Sequence, residues 1–156
     1  MKKKWSLNEE QFFGIGIYQP KTNHNIGTLW RSAYILGAQF IFIVDGKYNN
    51  QSSDTKKTWS KIPFFKYENF DHMYKSLPHS AQLIAAEMCD NSTPIRNFVH
   101  PRRAVYLLGA EDNGLPQKVL DRCHKLVQLP GESSMNVSVS GSILMFDRIN
   151  KLEIED

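Results

Sequence analysis

Short apolar runs alternate along this chain with segments whose apolar residues recur at helical spacing. The runs are rich in residues that favour β-strands, and turn-forming residues bound them. They occupy residues 12–18, 40–44, 64–65, 82–86, 104–109 and 125–129. The run at 40–44 contains no polar residue, which is typical of a strand covered on both faces. The pattern therefore predicts a strand at each of these positions.

The segments between these runs carry the helical spacing. It predicts helices over residues 25–36, 53–60, 69–77, 116–123 and 137–152, and a loop over 91–101. Gly37 suits the position just after the first helix. The last helix has apolar residues spaced for one buried face, namely Val139, Ile143, Phe146 and Ile149.

Strands that alternate with helices indicate an α/β fold with a mostly parallel sheet and helices on both faces. A chain of 156 residues is long enough to bury a substantial core, and we expect a single domain over residues 1–156. In such folds ligands bind outside the carboxyl ends of the strands. The polar segments that follow the predicted strands are therefore the first places to look for chemistry.

The composition narrows the class of protein. Hydrophobic residues make up 41% of the chain, yet no apolar run approaches the roughly 18 residues that a membrane span needs. The basic amino terminus precedes no apolar leader, so we expect a cytoplasmic protein without a membrane partner. Cys89 and Cys123 lie far apart, with no clustered histidines, which favours two ordinary thiols over a disulfide framework or a metal site.

One stretch of the chain is markedly basic. Residues 46–67 carry five lysines and one acid, with aromatic residues interleaved. The lysines of this stretch are Lys47, Lys56, Lys57, Lys61 and Lys66. A basic surface with aromatic rings suits a phosphate backbone and exposed bases. A solvated lysine-rich edge with its aromatic rings in the core explains the same pattern equally well.

Three polar segments lie at strand ends or helix starts: residues 25–31, 109–114 and 130–136. Taken singly, each is explained by structure alone. Asn25 suits a helix cap, and Gly27 inside a helix costs about 1 kcal/mol relative to alanine. The second segment has neither a Walker lysine nor a GxGxxG pattern. The third reads as a turn followed by a capped helix, although such a helix start can also hold a ligand.

Taken together, the three segments resemble, in order, the three motifs of the SpoU-like (TrmH-like) ribose methyltransferases of the SPOUT superfamily. The N-x-G-x-x-x-R motif is matched by Asn25, Gly27 and Arg31. The strand-Gly-x-Glu-x-x-Gly-Leu motif is matched by Gly109, Glu111, Gly114 and Leu115. The Pro…Ser-Leu/Met-Asn-Val-Ser motif is matched by Pro130, Ser134, Met135, Asn136, Val137 and Ser138. The connecting turn 131–133 is shorter than in several relatives and contains an acid.

This resemblance implies a fold, a cofactor and a set of site residues. It implies a deep trefoil knot at the C-terminus and a homodimer in which Arg31 comes near the cofactor of the partner subunit. The implied catalytic residues are Arg31, Asn25, Glu111, Ser134 and Asn136. The implied S-adenosylmethionine-binding residues are Ala86, Glu87, Leu108, Gly109, Glu111, Leu129, Ser134, Met135 and Asn136.

The resemblance further implies methyl transfer to a ribose 2′-OH of RNA, with tRNA favoured and rRNA as the alternative. A 2′-OH needs a proton acceptor and accurate positioning. Arginine is a weak base, so Arg31 as the base and Arg31 as an orienting cation both stay open. Charge placement makes Lys47, Lys56, Lys57 and Lys61 candidate RNA-binding residues. A non-catalytic RNA-binding dimer and a flavodoxin-type nucleotide-binding protein are the alternatives of other classes.

Overall fold

A computed structural model describes residues 10–21, 23–46, 61–110, 114–131 and 136–155 of the chain. The strands are β1 (Phe12–Tyr18), β2 (Phe40–Val44), β3 (Phe64–Tyr67), β4 (Gln82–Ala86), β5 (Thr93–Pro94), β6 (Arg103–Gly109) and β7 (Lys125–Gln128). The helices are α1 (Asn23–Leu36), α2 (Phe70–Lys75), α3 (Gln117–Leu120) and α4 (Val137–Glu155). The helix predicted at 53–60 lies outside the described residues.

The described strands form one seven-stranded sheet in the order β3-β2-β1-β6-β4-β7-β5. Each pair of neighbouring strands in this sheet is parallel. Tyr18, the last residue of β1, lies opposite Val44 of β2 and opposite Gly109 of β6, so the carboxyl ends of these strands meet at one edge. The predicted α/β fold with a mostly parallel sheet is thus confirmed, and the trefoil knot stays a prediction.

Apolar side chains are buried on both faces of the sheet. On one face, strand residues such as Ile15 and Ile43 pack with Leu29 of α1 and Leu144 of α4. On the other face, a second cluster joins the strands to α2 and α3. Its members include Phe42, Val105, Leu107, Phe70, Met73, Val119 and Leu120. The prediction of helices on both faces is confirmed.

Helix α4 packs closely against α1, because a glycine stands at their contact. A Cβ atom built on Gly141 would lie 2.3 Å from Cδ1 of Leu29 and 3.0 Å from Cδ1 of Leu108. Both leucines are buried, so this part of α4 lies against α1 and against the carboxyl end of β6. The first turn of α4 is thereby held close to the strand ends.

The face of α4 that was predicted to be buried is instead exposed. Val139 is 47% exposed, Ile143 36% and Phe146 61%, and Ile149 is only partly buried. The helix buries its other side against the core, through Leu144, Met145, Arg148 and Leu152. Helical spacing marks an apolar face, but it does not show which partner covers that face, so the prediction was wrong for the isolated chain.

Smaller corrections concern the predicted loop at 91–101 and the predicted helix at 116–123. The loop contains strand β5 and a 3₁₀ turn at Ile95–Asn97. The helix is limited to Gln117–Leu120, and Pro116 is its N-terminal cap residue. Proline at this position suits a helix start because it has no amide hydrogen to leave unpaired.

Arg148 anchors α4 to the amino-terminal end of the sheet. Its side chain is 2% exposed, and its guanidinium donates hydrogen bonds to the carbonyl oxygens of Pro101, Arg102 and Phe12 and to the hydroxyl of Tyr106. The bonds to Pro101 and Arg102 are 2.6 and 2.7 Å long. A buried cation is tolerated only where such partners replace water, so these carbonyl oxygens hold α4 in place.

The hydrogen bonds continue from Tyr106 through a buried histidine. The Tyr106 hydroxyl lies 2.6 Å from Nδ1 of His100, and Nε2 of His100 lies 2.7 Å from Oδ2 of Asp147. Since the guanidinium can only donate and the carboxylate only accepts, Tyr106 donates to Nδ1 and the Nε2–H donates to Asp147. Burial raises the pKa of Tyr106 to about 12, which keeps the phenol protonated for this role.

Candidate functional site

The carboxyl ends of three neighbouring strands bring together residues from separate parts of the chain. Ala86 at the end of β4 lies opposite Leu108 of β6 on one side and Val127 of β7 on the other. Glu87 extends the ladder by one step, because its N–H donates to the carbonyl oxygen of Val127 at 3.0 Å. Gly109 and Leu129 follow at the ends of the neighbouring strands. The predicted cofactor residues of β4, β6 and β7 are therefore neighbours.

These strand ends present backbone rather than large side chains. The Leu108 side chain is 2% exposed and belongs to the core beneath α1 and α4, so only its backbone faces a ligand at this edge. Ala86 and Gly109 are partly exposed and have little or no side chain. Small residues at neighbouring strand ends leave N–H and C=O groups open for hydrogen bonding.

The first and third polar segments meet through their asparagines. Nδ2 of Asn136 donates to Oδ1 of Asn25 at 3.0 Å, across 111 positions of sequence. Oδ1 of Asn136 accepts the backbone N–H of Ser138 at 2.9 Å, so Asn136 also caps α4. One side chain thereby joins the start of α4 to the start of α1 and still lies at the surface.

The role predicted for Asn25 as a helix cap was wrong. Helix α1 begins at Asn23, so Asn25 lies inside the first turn. Its side chain is used for the contact with Asn136 instead of for capping. Gly27, one turn further, is buried.

Arg31 is not drawn into this contact. Its side chain is exposed on α1, and it makes no hydrogen bond or ion pair with another residue in the described part of the chain. Ile35, one helical turn later, is 58% exposed. Arg31 is therefore available to a partner molecule on the outer side of α1.

Several predicted site residues cannot be compared with the structure. Glu111, Ser134, Met135, Lys47, Lys56 and Lys57 lie outside the described residues. Lys61 is described and exposed. The RNA-binding role of the lysines and the catalytic roles of Glu111 and Ser134 stay predictions.

Tyr18 is a residue at this edge that the sequence reasoning did not select. It ends β1 directly opposite Gly109 and is 6% exposed. Burial raises the pKa of its phenol, and the Asp45 carboxylate adds to the effect. The hydroxyl therefore stays protonated at neutral pH and is not a proton acceptor. Its position at the end of a central strand was the available signal.

Two further classes of site were searched in the described ranges. Within them, His, Cys, Asp and Glu form no group of three that could hold a metal ion. Among the described helices, none is long and apolar enough to cross a membrane. Both cysteines are free thiols, and burial raises the pKa of Cys123 to about 12, which makes its thiolate scarce.

Comparisons with known proteins agree with this arrangement. The chain is 27% identical over 134 residues to the 23S rRNA (guanosine-2′-O-)-methyltransferase RlmB of Nitrosomonas europaea, covering 81% of this chain and 52% of that protein. It thus spans about half the length of the curated relatives it matches.

Solved structures share the fold. A protein studied for "the 2-OH methylation of C/U34 on tRNA" superposes with a TM-score of 0.80 at 20% identity, covering 92% of this chain and 98% of the other. An AdoMet-bound rRNA methyltransferase from Sinorhizobium meliloti superposes with a TM-score of 0.80 at 22% identity, covering 92% and 58%.

The family assignment rests on a match that covers most of the chain. The profile of the SpoU rRNA Methylase family aligns with residues 13–146, from β1 to the middle of α4. This range contains all three polar segments, including the two that meet through Asn25 and Asn136. The chain belongs to the SpoU rRNA methylase family.

Proposed function

We propose that this chain is an S-adenosylmethionine-dependent RNA methyltransferase that methylates a ribose 2′-hydroxyl, with tRNA as its substrate. The observation that carries the proposal is the contact between Asn25 and Asn136, 3.0 Å apart. It joins the first and third motifs next to strand ends where backbone groups are open. Family membership and the AdoMet-bound relative of the same fold support the cofactor.

The strand ends fit such a cofactor. A nucleoside with an amino-acid tail needs hydrogen-bonding backbone and shallow side chains around it. Ala86, Gly109 and Leu129 provide these on three neighbouring strands, and Glu87 follows Ala86. When bound, the cofactor supplies an electrophilic methyl group on a sulfonium. The chain's residues have to hold the cofactor and bring the ribose oxygen into line with it.

The polar side chains suit the second task. The amide pair of Asn25 and Asn136 is anchored to two helix starts, so it offers a rigid donor and acceptor for a ribose hydroxyl. Arg31, exposed on the outer side of α1, suits a phosphate or an oriented hydroxyl. Whether Arg31 removes the proton or orients the hydroxyl is a separate question, which the pH dependence of the Arg31→Lys variant addresses.

Chain length supports tRNA as the substrate. The tRNA-related structure is covered over 98% of its length, whereas RlmB is covered over only 52%. A relative of matching size has the same surface available for RNA, without an additional domain. If rRNA is the substrate instead, ribose methylation will be missing from rRNA and intact in tRNA when the gene is deleted.

The first test measures cofactor binding and methyl transfer separately. Titration calorimetry with S-adenosylmethionine should show saturable binding to the wild-type chain. Methyl transfer to bulk tRNA, read by mass spectrometry of ribose-methylated nucleosides, should fall at least 100-fold in Asn136→Ala and Arg31→Ala, the size typical of lost transition-state contacts. Full transfer in both variants would contradict the site assignment. Absence of cofactor binding would favour the non-catalytic RNA-binding dimer.

We also propose that the chain works as a homodimer through the outer sides of α1 and α4. Both helices pack on the same face of the sheet and expose apolar residues away from it. These residues are Ile35, Val139, Ile143 and Phe146. An apolar patch of this kind is a marker of a protein interface. Arg31 lies one turn from Ile35, so a second copy on this surface would meet it.

A charge in this patch should separate the subunits. Phe146→Asp places a carboxylate on the proposed interface, and sedimentation should change from dimer to monomer. Val99→Asp is the matched control, because Val99 is 69% exposed on a different part of the chain. A wild-type monomer, or a dimer that survives Phe146→Asp, would contradict the proposed interface.

Mixing two inactive variants tests whether Arg31 acts on the partner's site. Asn25 and Asn136 bond within one protomer, whereas Arg31 would reach across. Arg31→Ala mixed with Asn136→Ala then regains one complete site per heterodimer, which is about a quarter of the wild-type activity after random exchange. No recovery beyond the separate variants would mean that Arg31 acts within its own subunit.

A further inference from the structure

The Glu87 carboxylate is already engaged by the protein. Its Oε2 accepts the backbone N–H of Leu115 at 2.8 Å, across 28 positions of sequence. Glu87 directly follows β4, and Leu115 follows the segment that leaves β6. This bond therefore ties the ends of two neighbouring strands together above the last ladder hydrogen bonds.

The segment around Leu115 is packed against that carboxylate. Gly114 has φ +61°, and a Cβ atom built on it would lie 2.6 Å from Oε2 of Glu87. Only glycine therefore suits the position, since the conformation is left-handed and the space is filled. The fit leaves Gly114 in direct contact with the carboxylate.

Gly114 in turn packs against the backbone of the last residue of β6. A Cβ atom built on Gly109 would lie 2.7 Å from the carbonyl carbon of Gly114. The N–H of Gly114 donates to the carbonyl oxygen of Ala110 at 3.2 Å, which closes the turn. Contacts without room for a methyl group thus run from Glu87 through Gly114 to Gly109.

Glu87 is well placed to transmit a position. Its own N–H is bonded to Val127 of β7, and its side chain is partly buried. The carboxylate therefore projects from a strand end that is fixed on both sides by β6 and β7. An acceptor held this way restrains the amide that it binds.

We propose that Glu87 is a positioning residue that holds Gly114 and Leu115 against Gly109 and so sets the Gly109 backbone for the cofactor. The inference rests on the proposed function, because it assigns a role within the same cofactor site. It replaces the predicted role of the Glu87 side chain as a direct cofactor ligand. The carboxylate acts on the cofactor through the backbone of Gly109.

The test compares two replacements at position 87. Glu87→Ala removes the acceptor, and we expect the Kd for S-adenosylmethionine to rise about tenfold, since an amide loses a charged partner. Glu87→Gln keeps a carbonyl oxygen for Leu115, and we expect a rise of only about threefold. Glu68→Gln, at an exposed glutamate after β3, is the matched control and should bind like the wild type.

Hydrogen exchange of the Leu115 amide gives a readout that does not depend on the cofactor. In the apo protein, its exchange should be fastest in Glu87→Ala, intermediate in Glu87→Gln and slowest in the wild type and in Glu68→Gln. A general loss of stability would speed exchange across the whole sheet. The positioning role predicts a change that stays near Leu115 and Gly114.

A double-mutant comparison tests the packing. Gly114→Ala should weaken cofactor binding more in the wild type than in Glu87→Ala, because the second background removes the 2.6 Å contact. Additive effects would overturn the proposal.

Two further results would overturn the proposal. One is unchanged binding by Glu87→Ala. The other is equal weakening by both replacements with unchanged Leu115 exchange, which would make Glu87 a direct ligand. A wild-type chain that binds no S-adenosylmethionine would instead overturn the proposed function itself, and with it the cofactor role of Glu87.

Discussion

The two ends of the sheet treat polar side chains in opposite ways. At the amino-terminal end, Arg148 is buried and donates to four acceptors, and His100 is bonded through both ring nitrogens. At the carboxyl end, Asn25 and Asn136 share one bond with each other, and Arg31 stays exposed. One end uses its polar groups for the fold, while the other keeps them accessible.

This difference explains where a ligand can bind. Buried polar groups whose bonds are all made within the protein have nothing left to offer a substrate. Polar groups at the surface, anchored at only one or two points, can exchange water for a ligand at small cost. The same helix, α4, contributes to both ends through Asn136 and Arg148, so it connects the candidate site to the most rigid part of the fold.

The largest expected effect on stability is at Arg148. Arg148→Met fills the space but removes the donors to Pro101 and Arg102, and we expect the free energy of unfolding to fall by roughly 3–5 kcal/mol. Urea denaturation measures this change. Arg96→Met, at an exposed arginine, is the control and should change stability by less than about 0.5 kcal/mol. A loss below about 1 kcal/mol at Arg148 would contradict the view that this end stabilises the fold.

The second effect is a pH dependence at His100. Burial lowers its pKa to about 4, and the positive charges of Arg148 and Lys151 add to this, although the bond to Asp147 opposes it. The unfolded chain takes up a proton near pH 6.5, which the folded chain resists. Stability is therefore complete above about pH 6.5 and declines by up to roughly 3 kcal/mol as the pH falls toward 4.

Denaturation midpoints of the wild type and His100→Gln between pH 4 and 7.5 measure this contribution. The slope should become smaller in His100→Gln and stay unchanged in His79→Gln, because His79 is exposed. Equal slopes in the wild type and His100→Gln would show that His100 does not titrate differently on folding.

The smallest effect on stability is expected at the candidate site. Asn136→Ala removes the α4 cap and the bond to Asn25, and the free energy of unfolding should fall by about 1 kcal/mol. The same variant should lose methyl transfer at least 100-fold, as proposed above. Thermal unfolding beside the transfer assay separates the two. A stability loss as large as that of Arg148→Met would remove the contrast between the two ends.

Local pattern predicted the central strands well. Strands β1, β2 and β4 have the predicted bounds, because uninterrupted β-branched and aromatic runs between turn residues have few alternatives. Strand β5 was missed, since it has only two residues, one of them a proline, and is defined by its pairing with β7. A strand that short has no periodicity of its own.

The periodicity of α4 was read correctly as helix and wrongly as burial. The side facing the sheet contains Arg148, a residue that hydropathy places outside, while Phe146 on the exposed side looks like core. A charged residue is buried only where acceptors await it, and those acceptors are carbonyl oxygens of β1 and of the segment before β6. No local window of sequence contains that information.

The sequence by itself determined the alternation of strands and helices and the identity of the three motifs. Only the tertiary structure decided that β6 lies between β1 and β4, and that Asn25 and Asn136 meet despite 111 intervening positions. It also turned Glu87 from a predicted ligand into the acceptor of the Leu115 amide. Short-range preferences depend on neighbouring residues, whereas pairing of distant strands depends on cooperative packing of the whole core.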